Sequence, residues 1–201
     1  MQKNKIYLLS FISILLASCS QNQTTAKIDV NKSNWQKDSL DVINSVKNVY
    51  KWHDSAKLQL PVFDVLVVDS FQTGLDIPSF DKTYKALKKS QLFSNTFLGN
   101  YKEIGELINT RLTTANPKYF NEINFVSQDA DPWTFFQDDA GQYWDDFKIS
   151  DFALSSDSAS FKWRIEEKYT KTDKYLVKLV RENKKWVVSY LDGFNKKLYI
   201  Q

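Results

Sequence analysis

The hydrophobic spacing of this chain changes period once, and that change limits its fold more than any other feature. Up to about residue 115 the apolar side chains recur at helical intervals; after residue 146 they alternate, with turn signals between the runs. A helical half followed by an antiparallel half can bury both apolar faces only if the helices lie on one face of the sheet, which predicts an α+β domain. Between the halves lies QDADPWTFFQDDAGQYWDD, residues 128–146, where Asp129, Asp131, Asp138, Asp139, Asp145 and Asp146 alternate with Trp133, Phe135, Phe136 and Trp144. Rings set among acids predict a loop pinned into the core by its aromatics, with its carboxylates along an edge or cleft.

On the helical side, Val42, Ile43, Val46, Val49, Tyr50 and His53 share one face of a predicted helix over residues 39–53. His53 is the only histidine, and within an apolar stripe a hydrogen-bonded core role is the commoner one. DVLVV at 64–68 reads as a short strand bounded by Pro61 and by QTG and Pro78. A second helix aligns Phe80, Tyr84, Leu87 and Gln91 opposite Lys82, Lys85, Lys88 and Lys89, a solvated face first and an anionic-lipid face second. A third, capped by Ser94, stacks Phe97, Tyr101, Ile104, Ile108 and Leu112 and ends before Asn116-Pro117. On the other side, Phe147 to Leu154, Phe161 to Ile165, Tyr175 to Leu179 and Trp186 to Tyr190 read as consecutive hairpin strands.

The N-terminus carries its own signal. MQKNK, an apolar run IYLLSFISILLA too short to span a bilayer, and then Leu16-Ala17-Ser18-Cys19 resemble a bacterial lipoprotein signal peptide whose cysteine becomes the first mature residue. An ordinary cleaved signal or a short core helix would read similarly, but Cys19 is the only cysteine, and a lone thiol in an oxidising compartment is a liability unless modified. Acyl chains contribute about 0.8 kcal/mol per buried methylene, so two or more hold a protein stably on a membrane. The expected organisation is a signal peptide over 1–18, a flexible tether over 19–37 with Trp35 docking on the domain or at the lipid interface, and a single domain over 38–201. A coil of that length would reach roughly 20–25 Å. The expected location is the bacterial cell envelope, on the outer membrane, facing the periplasm or the surface.

Composition excludes some partners. Removing Lys3 and Lys5 with the signal leaves 25 basic against 24 acidic residues, a net charge of +1 that draws the mature chain to no nucleic acid.

DADPWTFFQDD, followed by a tryptophan and by hairpins ending in LVRENKKWVVSYLDG, resembles the bacterial domain-of-unknown-function 3828 family of small exported proteins and lipoproteins over residues 38–194. The resemblance implies a nuclear-transport-factor-2-like, cystatin-like cone, with helices cupped by a curved sheet. It implies no catalytic residues.

The aspartates allow several chemistries. Asp129, Asp131, Asp138 and Asp139 could supply oxygen ligands to calcium, but Pro132 and Ala140 break the helix-loop-helix calcium spacing, so no metal and no cofactor is expected. Capping of turns by Asp131-Pro132 and Asp139-x-Gly141 needs no ion. Acid/base work by His53 with an aspartate such as Asp138 is the enzymatic alternative. The favoured reading is a non-catalytic binding module for an envelope protein or a small ligand, using Asp129, Asp131, Trp133, Asp138, Asp139, Trp144 and His53. Charge supports it: residues 122–151 hold eight acids against Lys148 alone, whereas 157–201 hold six acids against eleven bases. Such separation orients association with a partner.

Overall fold

The computed structural model describes residues 30–56, 62–114, 131–135, 147–164 and 174–199, with side chains from Asn34 onward. The chain order is α1 (Val30–Ala56), β1 (Val65–Val68), β2 (Phe71–Leu75), α2 (Ile77–Ser90), α3 (Asn95–Thr114), β3 (Lys148–Leu154), β4 (Ser158–Arg164), β5 (Tyr175–Glu182) and β6 (Lys185–Leu191), closed by two 3-10 turns at Asp192–Phe194 and Lys196–Tyr199. The α+β expectation holds. Among the described residues three helices accompany two antiparallel sheets, one of two strands and one a four-stranded meander in the order β3-β4-β5-β6.

The helical stripes are buried as their spacing requires. Val42, Val46, Val49 and Tyr50 of α1 and Phe97, Tyr101, Ile104, Ile108 and Leu112 of α3 all face the core. They meet the inner face of the meander, where Ala159, Phe161 and Trp163 of β4 alternate with outward residues, as do Tyr175, Val177 and Leu179 of β5. A buried polar contact crosses this interface: the Trp163 indole N–H donates to the Tyr50 hydroxyl at 3.1 Å, which keeps two large side chains buried without stranding a donor. Helix α2 packs closely on α3 at Gly105, where a Cβ would lie 2.4 Å from the Phe80 ring. In α2 itself Thr83 is buried with Phe80 and Leu87. Gln91, expected on that face, instead ends the helix in the left-handed region at φ 56°.

Helix starts are built by side chains. Ser94 Oγ accepts from Phe97 N at 3.1 Å to open α3, and Asp76 Oδ1 accepts from Ser79 N at 3.1 Å to open α2. The link between these two helices also closes the sheet: Val188 N donates to Leu92 O and Ser94 N to Val188 O, both at 2.9 Å, so the outer side of β6 is covered.

Two local expectations are corrected. Helix α1 runs from Val30, through residues 30–37 that the sequence assigns to the tether. Residues 34–37 are exposed, so they have no core to face and show no apolar stripe; among them Trp35 lies edge-on to Phe152 at 6.1 Å. QTG, read as a boundary, lies inside β2. The reversal falls earlier, at Asp69 and Ser70, whose φ values of 50° and 68° are those of a tight hairpin turn.

Candidate functional site

The described part of the acidic stretch is Asp131 to Phe135, and it folds into a turn plugged by a tryptophan. Asp131 organises it: its carbonyl accepts from Thr134 N at 3.0 Å and Phe135 N at 2.7 Å, and its Oδ1 accepts from Trp133 N at 2.9 Å. This is the capping use of aspartate before proline. The turn ends in Phe135 at φ 60°, a strained value for a bulky residue, with its ring 5.0 Å from Tyr175.

Trp133 is 3% exposed. Its indole stacks on the His53 ring at 4.5 Å and 27°, and meets Phe194 edge-on at 4.9 Å and Phe93 at 5.8 Å. One side chain thereby joins α1, the approach to α3 and the C-terminal turn. Each such ring pair adds about 0.5–1.5 kcal/mol beyond the area buried.

The backbone is held as firmly as the ring. The Tyr175 hydroxyl donates to Pro132 O at 2.7 Å and accepts from Gly193 N at 3.0 Å, while the Tyr199 hydroxyl donates to Gly193 O at 2.8 Å. Asp192 continues the network, accepting from Leu176 N at 2.7 Å and from the Tyr190 hydroxyl at 3.0 Å. Burial pushes the phenols of Tyr175, Tyr50 and Tyr199 well above their ordinary range, with Asp131 or Asp192 adding in the same direction, so they remain protonated donors at neutral pH. Tyr190 is pushed up to about 12, by burial first and then by its bond to Asp192. Gly193 sits against the turn so closely that a Cβ would fall 1.7 Å from Pro132 O. No side chain fits there.

His53 is 6% exposed, with Asp54 Oδ1 3.7 Å from its Nδ1. Beside it lies a cavity of about 10 Å³, lined by Trp52, His53, Ala56, Val62, Thr83, Tyr101 and Trp133. That volume admits about one water.

Of the residues expected in a site, the structure places Asp131 and Trp133 in one turn and stacks Trp133 on His53 of α1 in the core. Asp129, Asp138, Asp139, Trp144 and Cys19 lie outside the described residues. Among the described residues no group of three or more His, Cys, Asp or Glu side chains gathers as a metal site would require. Among the described residues, the carboxylate beside His53 is that of its own neighbour Asp54, which sequence spacing did not single out. Tyr175 and Gly193 were missed as well: one reads as a strand residue and the other as an ordinary Asp-Gly turn.

No protein-family model, no curated protein and no solved structure matches the chain.

Proposed function

We propose that this is a lipid-anchored bacterial envelope protein, carried by Cys19, whose domain is a non-catalytic binding module of the cone type that the domain-of-unknown-function 3828 resemblance implies. The observation that supports a binding module over an enzyme is the plug. Trp133 fills the space among α1, the approach to α3 and the C-terminal turn, and the 10 Å³ left beside His53 has no room for a substrate. The anchor rests on Leu16-Ala17-Ser18-Cys19 after a short apolar run. Among the described residues no helix is long and apolar enough to cross a membrane.

An acid/base enzyme is the second reading, supported by the Asp54 carboxylate 3.7 Å from His53 Nδ1. One purification separates the readings. The intact protein, extracted from membranes with mild detergent, should carry acyl mass on Cys19 and retain a stoichiometric protein or small-molecule companion, and Cys19→Ser should move it to the soluble fraction. An unmodified Cys19 overturns the anchor. A solitary protein that turns over a carbonyl substrate, with activity lost in His53→Gln, overturns the binding module.

A further inference from the structure

Strand β1 ends the smaller sheet with an open edge. It pairs with β2 on one side, and among the described residues no strand pairs with it on the other. A regular apolar edge is a template for another chain, and proteins ordinarily blunt such edges with bulges, charges or a covering segment. Here the one irregularity of the ladder falls on β2, where Thr73 is the extra residue, so Val65-Leu66-Val67-Val68 stays regular. Leu66, Val67 and Val68 are 48%, 61% and 56% exposed. The edge is apolar and accessible.

We propose that β1 is a strand-addition site for an extended apolar segment of a partner protein that carries Lys or Arg at both ends. Main-chain hydrogen bonds to the free edge would supply affinity and the aliphatic side chains a grip. Charge selects the occupant. From Leu58 to Asp81 the chain contains four aspartates and no basic residue, and two of them, the exposed Asp64 and Asp69, bracket the strand. A second copy laid antiparallel on β1 in the centred register would set Asp64 opposite Asp69 twice, and like charges directly opposite are destabilising. An anionic membrane surface is repelled in the same way. A segment whose cations stand about five residues apart matches the roughly 17 Å between the two aspartates.

This rests on reading the domain as a binding module, and the test is chosen to separate the two. With p-benzoylphenylalanine in place of Val67 in the full lipidated chain, irradiation of native membranes should crosslink it to one protein. The site should map to an extended apolar stretch with basic residues at each end. The yield should fall about fivefold in Asp64→Asn/Asp69→Asn, the size expected for two exposed ion pairs. Asparagine keeps both the left-handed turn and the acceptor for Ser79 Oγ, which bonds Asp64 Oδ2 at 2.9 Å. Should that variant melt lower than the wild type, the wild-type yield must instead fall as salt is raised. Crosslinks to lipid, to a second copy or to a segment without basic residues overturn the proposal, as does a yield indifferent to charge or no crosslink at all. If a stoichiometric companion is retained on purification but residue 67 does not reach it, the edge site falls and the binding module stands.

Discussion

Strand β3 and strand β1 each bound a sheet, and they are finished in opposite ways. In β3 a bulge sets Asp151 and Phe152 against Phe161 alone, Asp151 turns into the left-handed region at φ 55°, and its carboxylate lies 3.5 Å from both Lys162 and Lys174. Those are the devices that keep an edge from recruiting a neighbour. β1 has no bulge of its own, and it exposes three consecutive aliphatic residues. The difference follows where each strand stands. β3 belongs to the sheet that carries the core, whereas the β1–β2 hairpin is an appendage on α3, tied by Asn109 Oδ1 to Leu75 N at 3.1 Å. Regions that bind partners are commonly drawn from the less stable parts of a fold, where a local change leaves the core intact.

The comparison breaks first at Trp133. Trp133→Ala should cost about 3–5 kcal/mol, as the loss of a buried large aromatic does. Amide exchange should accelerate across β5, β6 and the C-terminal turns and least in β1 and β2; uniform acceleration would mean that the hairpin and the large sheet unfold as one unit. A smaller and opposite effect is expected at Asn109. Asn109→Ala strands the Leu75 N–H and should cost about 1–2 kcal/mol, with faster exchange confined to the hairpin, while Asn109→Asp, which keeps an acceptor, should restore most of it. The smallest effects separate the edges themselves. Val67→Lys and Asp151→Asn should each change stability by no more than about 0.5 kcal/mol, as expected at exposed positions. On heating, light scattering should show less association for Val67→Lys alone, since of these two edges β1 is the one that presents an unguarded apolar strand.

Much of this fold was legible because its burial is periodic. The α3 stripe from Phe97 to Leu112 and the alternation of Phe161 with Trp163 and of Tyr175 with Val177 state directly which side faces the core. What escaped notice lacks such a pattern. Residues 34–37 of α1 are exposed, so nothing in their sequence marks an inner face. β2 was hidden because Gln72-Thr73-Gly74 has turn composition, yet Gly74 lies in the strand facing α3, where a Cβ would make ordinary contact with Asn109 Oδ1 at 3.4 Å. At the site, alternation of acids and rings announced an anchored loop, and Trp133 is such an anchor. The partners of the anchor were not announced, because Tyr175 and Gly193 come from a distant strand and turn and meet Pro132 only in three dimensions.

The contact between Gly193 and Pro132 O also orders events in time. The socket for this turn is assembled from α1, the start of α3, β5 and the last 3-10 turns, so it does not exist until the chain's two ends have come together around it. Hairpins form in about 1–10 μs, whereas contacts between remote segments wait on loop closure and slow a chain's arrival at the native state. Seating of Trp133 is therefore a late step. A polypeptide interrupted before residue 193 retains its helical stripes and most of its meander but has nothing to receive the tryptophan, and an indole left in water is a mark that quality-control proteases and chaperones can read.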